Sequence, residues 1–140
     1  MLEIGIKSNQ MTAKPDIKEL DDIIVFVDAF YKKVGQDELI GPVFNGVIDD
    51  WEPHLQRMYA FWNAVLFGVA GFKGNPFARH APLAIEEAHF NRWLELFSQT
   101  INNHFSGEMA ELTKVKAKLM ADLFLSKLQN MKGGVHRVIV

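Results

Sequence analysis

The chain has no cysteine among its 140 residues. That absence excludes disulfides, iron–sulfur clusters, thiolate zinc sites and covalently attached c-type haem. It also lacks an excess of charge of either sign. Fifteen Lys and Arg against 17 Asp and Glu leave a net charge of −2, so no basic face marks the chain for nucleic acid. Nor is there a long hydrophobic run. The most apolar stretch, Phe61 to Phe72, is too short and too interrupted by glycine to span a bilayer, and Met1 to Gln10 has no secretory-signal core. These absences predict a soluble, cytoplasmic protein with no membrane partner. What is abundant is aromatic: 11 Phe, 3 Trp and 2 Tyr, in a chain long enough for one domain with a bulky core.

The pattern is helical almost throughout, and the expected fold class is all-α. Asp16 with Glu19 three residues on is read as a capping box opening a first helix. Ile23, Phe26, Val27, Phe30, Tyr31 and Val34 then form one apolar stripe that Gly35 ends. A connector from Leu39 to Asp49 holds Gly41, Pro42, Asn45 and Gly46 around Phe44. Asp50 caps a second helix, whose first turn tolerates Pro53 and whose inward row is His54, Met58, Phe61 and Val65, with Leu55 and Trp62 beside it. From Gly68 to Pro82, glycines and prolines break the period and predict a loop. A third helix starts near Ile85, with Phe90, Trp93, Leu94, Phe97 and Ile101 on one face. Ser106 is expected to cap a fourth, with an apolar row of Met109, Leu112, Val115, Leu119, Leu123 and Phe124, stopping at Gly133-Gly134. The N-terminal tail has room for a short extended piece.

Three polar residues interrupt the apolar faces: Tyr31 on the first, His54 on the second and Trp93 on the third. Each has an ordinary explanation as a core or solvated residue with one hydrogen bond. Together they place three donors toward one interior. His80 stands alone in the irregular segment, between Pro76 and Pro82. Three donors and one Lewis base around an aromatic core meet the needs of a haem with a gaseous ligand. The imidazole serves one side of the iron and the donors the other.

Those residues carry a family likeness. Phe30-Tyr31, Gly41-Pro42-x-Phe44, His54 followed by Phe61-Trp62, Gly74-x-Pro76-x-x-x-His80 and His89-Phe90-x-x-Trp93-x-x-x-Phe97 resemble the truncated haemoglobins, specifically group III, over roughly Phe26 to Phe124. The only Gly-Gly pair lies at the C-terminus, which favours group III over groups I and II. The resemblance implies a two-over-two helical sandwich around haem b. It implies His80 as the iron ligand and Tyr31, His54 and Trp93 on the distal side. It places Phe44 on the ring, Met58 near the ligand, Phe61, Phe90 and Phe97 around the porphyrin, and Arg57 and Arg79 at the propionates. Residues 1–140 form one globin domain in this reading, with tails at 1–13 and 133–140, as a monomer or weak dimer.

Other classes fit less well. A di-iron carboxylate bundle needs two Glu-x-x-His pairs, and Glu86-x-x-His89 is single. No histidines are spaced for a zinc hydrolase. A cofactor-free helical interaction domain leaves the inward Tyr31, His54 and Trp93 without a shared explanation. His89 and His104 are expected to be surface or satisfied residues. Two functions stay open for a haem protein. One is redox turnover of oxygen, nitric oxide or peroxide, as a nitric oxide dioxygenase or a peroxidase-like enzyme served by an electron-donor reductase. The other is an oxygen carrier or sensor without turnover.

Overall fold

The stripe from Ile23 to Val34 becomes the interior face of the first helix, α1 (Leu20–Gln36), and all six of its residues are buried. The structure, a computed structural model, describes residues 14–72 and 86–138, with side chains described as far as residue 130. The expected extended piece in the N-terminal tail lies outside the described residues, as does most of the Gly68–Pro82 loop.

Among the described residues there are four further helices and no strand. They are α2 (Gly41–Val47), α3 (Trp51–Phe67), α4 (Glu87–His104) and α5 (Glu108–Val138). α1 packs against α2, α3 and α4, and α4 packs against α5. The pair α1–α3 is thus joined through α1 to the pair α4–α5, a two-over-two arrangement. Phe26 sits at the crossing, with ring contacts to Trp62 of α3, Phe97 of α4 and Phe105. Fully burying such a ring contributes roughly 1.5–3 kcal/mol. Tyr59 of α3 donates a hydrogen bond to the Asp28 carboxylate of α1. Arg92 of α4 clamps Asp37, just past α1, at 2.8 Å. Asp37 also accepts from the backbone N–H groups of Leu39 and Ile40, ordering the turn into α2.

Four helix boundaries differ from expectation. Asp16 does not cap α1. Glu19 is the N-cap there, and Asp22 closes the box by accepting from the backbone of Lys18 and Glu19. Asp16 instead caps α5 across the chain, its carboxylate accepting from Met109 N–H at 2.9 Å and Ala110 N–H at 2.8 Å. A carboxylate satisfies whichever orphan N–H groups the fold brings to it, and α1 already has a local pair. Ser106 is accordingly not the cap of α5. Its own N–H donates to Pro15 C=O, and it is Gly107, just before the first helical residue Glu108, whose C=O accepts from Glu111 N–H. Gly107 has φ +133°, and a Cβ there would meet the Asp16 carboxyl at 2.5 Å, so only glycine fits beside this cap.

The connector expected between α1 and α3 contains the short helix α2, started by Pro42 at its N-terminus. Finally, α5 does not stop at Gly133-Gly134 but runs to Val138. Glycine lowers helix propensity by about 1 kcal/mol without imposing a stop. The expected cap at Asp50, which accepts from Glu52 N–H, is present as read, and α3 ends where the predicted loop begins, at Gly68 with φ +67°.

The interior face of α5 also differs from its expected apolar row. Ala110, Thr113, Ala117, Ala121 and Leu128 are buried, whereas Leu112, Val115, Leu119 and Leu123 are exposed. Small side chains let the backbones of α4 and α5 approach, and Leu112, Val115, Leu119 and Leu123 are turned away.

Candidate functional site

All five helices contribute to one cavity of about 350 Å³, within the range of pockets that enclose small ligands and cofactors. α1 supplies Phe30 and Tyr31, and α2 supplies Val43, Phe44 and Val47. α3 supplies His54, Arg57, Met58 and Phe61. α4 supplies His89, Phe90 and Trp93, and α5 supplies Met120, Ala121 and Phe124. Tyr31, His54 and Trp93 therefore meet in one cavity from three helices, as do Phe44, Arg57, Met58, Phe61 and Phe90. Phe97 does not line it. That ring stacks behind the wall, between Trp62 at 5.2 Å and Trp93 at 5.4 Å, and fixes the Trp93 plane. His80 and Arg79 lie outside the described residues.

The polar end of the cavity is an aromatic cluster. Tyr31 and His54 meet edge to face at 4.9 Å, and Trp51 touches both, each at 5.7 Å. Phe30 and Phe44 complete the surround of Tyr31 at 4.9 and 6.2 Å. Burial pushes the Tyr31 phenol well above its ordinary pKa, so it remains a neutral O–H donor across any physiological pH. Trp51 went unread in the sequence. Its signal is its place three residues before His54, on the same face of α3.

His89 is a satisfied residue, as expected, though it borders the cavity. Its Nδ1 accepts from Glu86 N–H at 2.9 Å in the capping box that opens α4. Arg57 is of another kind. Its Nε is buried with no hydrogen-bond partner among the described residues, at the rim where α3 meets Phe72. A guanidinium held so is matched to an anionic group on whatever fills the cavity.

A two-over-two helical fold that encloses an apolar cavity with aromatic donors at one end is a truncated globin. The sequence pattern of the bacterial-like globin family matches residues 18–128, and the chain belongs to that family of haem-binding proteins, which take diatomic gases. The group 3 truncated hemoglobin of Campylobacter jejuni is 29% identical over 118 residues, covering 81% of this chain and 93% of that one. The group 1 truncated hemoglobin GlbN of a Nostoc strain is 26% identical over 110 residues, covering 78% and 83%. Among solved structures, that of the group III truncated hemoglobin from Campylobacter jejuni superposes with a TM-score of 0.77 at 28% identity, covering 82% of this chain and 94% of that one. A group II truncated hemoglobin from Bacillus anthracis gives 0.67 at 22% identity, covering 78% and 85%, a likeness of fold alone. The group III resemblance of the sequence motifs is thereby upheld.

The residues present fit a haem. The apolar walls suit a porphyrin, the half-buried Arg57 with its unpartnered Nε suits a propionate, and the donor cluster suits a polar ligand. No helix among the described residues is long and apolar enough to cross a membrane.

Proposed function

We propose that the cavity would hold haem b, with His80 binding its iron, and that the chain binds oxygen, nitric oxide or peroxide for redox turnover in the cytoplasm. Electrons would come from a separate reductase. The observation that carries this reading is the convergence of Tyr31, His54 and Trp93 on one cavity from α1, α3 and α4. Haem supplies a redox-active iron with an open position for a small ligand.

The protein's own residues do the rest. Tyr31 O–H and Trp93 Nε1–H are fixed by packing and present hydrogen bonds to a ligand that gains negative charge, without rearranging as it does so. His54, between Trp51 and Tyr31, serves either as a third donor or as a gate. Arg57 and Arg79 would hold the propionates, and Phe44, Met58, Phe61 and Phe90 would exclude water. Phe97 acts through Trp93.

A hydrogen bond to a charged acceptor is worth roughly 1.5–3 kcal/mol, so each donor that engages slows ligand loss about ten- to a hundredfold. Such retention suits chemistry on the ligand better than its delivery. The visible absorption spectrum with and without carbon monoxide tests the cofactor, and His80→Ala should lose most haem or change its ligation. Tyr31→Phe should speed oxygen dissociation about ten- to a hundredfold by the same hydrogen-bond magnitude. An unchanged off-rate would remove the proposed donor network. Fast oxygen release by the wild type, with no turnover of nitric oxide or peroxide, would leave the carrier or sensor reading instead.

A further inference from the structure

The outer face of α5 is apolar where a solvated helix should not be. Leu112, Val115, Leu119 and Leu123 are 37, 53, 59 and 50% exposed. Steps of three, four and four residues put them in one row that extends about 16 Å at 1.5 Å per residue. Single exposed leucines are ordinary, but a contiguous row marks an interaction site.

The charges beside the row are ordered. Glu111 and Asp122 lie on one flank, and Lys116 and Lys127 on the other. Leu112 and Leu123, Glu111 and Asp122, and Lys116 and Lys127 are each eleven residues apart. Eleven residues make three turns, so this repeat holds row and flanks in line along the helix. The sign of the flanks selects a partner. If a second α5 lies parallel with its leucine row against this one, each acidic flank meets a basic one. Glu111 then faces the partner's Lys116, and Asp122 faces the partner's Lys127. An antiparallel mate would set Glu111 and Asp122 against the same acidic flank. Glu111 and Asp122 already pair with Lys114 and Lys118 within the helix, at 2.8 and 2.7 Å. Both carboxylates are exposed, and such surface pairs contribute little energy and are readily exchanged.

We propose that this face joins two copies of the chain in a two-fold dimer with parallel α5 helices. A single helix face of this length falls short of the ~1,200 Å² total of a standard stable interface, so the dimer is reversible, with a dissociation constant on the order of 10–100 µM. Pro15 and Asp16 bond to the start of α5, so the preceding residues 1–13 are the competing occupant that the test must distinguish.

Sedimentation equilibrium of the full haem-loaded chain up to about 500 µM should show a monomer–dimer equilibrium, and Leu119→Lys should weaken it at least about tenfold with the melting temperature unchanged. Because the chain has no cysteine, Leu112→Cys reports orientation. In a parallel pair, equivalent positions meet and an intermolecular disulfide forms on oxidation. In an antiparallel pair the two thiols are far apart and none forms. E111K/D122K and K116E/K127E should each be monomeric alone and dimerise when mixed. A wild type that stays monomeric throughout overturns the proposal, as does a dimer that Leu112→Cys fails to cross-link. A monomer whose melting temperature drops with Leu119→Lys also overturns it, by showing that the chain covers its own row.

Discussion

α1 and α5 both face the core, yet they bury opposite kinds of side chain. α1 buries Ile23, Phe26, Val27, Phe30, Tyr31 and Val34, while α5 buries mainly Ala110, Thr113, Ala117 and Ala121, with Leu128 near its end, and turns Leu112, Leu119 and Leu123 outward. Their surroundings explain the difference. α1 lies among α2, α3 and α4 and must fill the space between three elements, whereas among the described residues α5 packs chiefly against α4. Bulk is needed where several helices diverge from a shared axis, and small residues are needed where two backbones run close. The size of an interior side chain therefore reports the number of neighbours rather than the hydrophobicity of its row.

The sharpest way to break this contrast is to empty α1. Phe26→Ala removes a fully buried ring from Trp62, Phe97 and Phe105, and should cost about 3–5 kcal/mol in chemical denaturation. A loss under about 1 kcal/mol would mean that α3 and α4 collapse into the space and that α1 is not the pillar described.

The reverse substitution tests α5. Ala117→Leu inserts volume at a position with no exposed surface, and should cost about 1–3 kcal/mol by forcing α4 and α5 apart. If the variant were as stable as the wild type, the close approach of those helices would be no constraint.

The smallest effect concerns what holds the two helices in register. Asp16→Ala removes the carboxylate that caps α5 and should cost about 1 kcal/mol. Burial alone would raise the Asp16 pKa, but hydrogen bonds from Met109, Ile17 and Ala110, with the Lys18 charge, hold it below the ordinary aspartate value. Asp37 is likewise lowered. Partial burial opposes that shift, and Ile40, Arg92 and Leu39 outweigh it. A folded pKa below the unfolded one gives stability that is complete above the usual aspartate range and is lost as pH falls through the folded value. Melting temperature should thus decline on acidification from about pH 4 downward, and less steeply in Asp16→Asn. Parallel acid limbs in the two proteins would assign that decline to other carboxylates.

Much of the fold was legible in the sequence because helical period survives in a single strand of text. The α1 stripe, the Asp50 cap, the Gly68 stop and the Phe90–Ile101 face all rest on neighbours within four residues. Two of the misreadings and the misplaced α5 face share one cause. Asp16, Ser106 and the α5 face were assigned from their nearest sequence neighbours, whereas Asp16 and Ser106 bond to residues far along the chain and the buried α5 face is chosen by its packing on α4. Within the site, Tyr31, His54 and Trp93 stood out because each is a donor on an apolar face. Trp51 did not, because a tryptophan at a helix start reads equally as core or surface until Tyr31 and His54 are seen to flank it. Phe97 read as wall because sequence cannot rank two aromatic layers by depth.

By itself, then, the sequence determined the all-helical class, the interior face of α1 and the inventory of donors, since local periodicity and side-chain chemistry need no partner to act. Tertiary structure alone decided which face of α5 is buried, which helix Asp16 caps and that the donors of α1, α3 and α4 share one cavity. Those outcomes depend on how closely helices pack and which ends meet. Interhelix distance is set by the sum of side chains on both surfaces, and neither surface carries that sum alone.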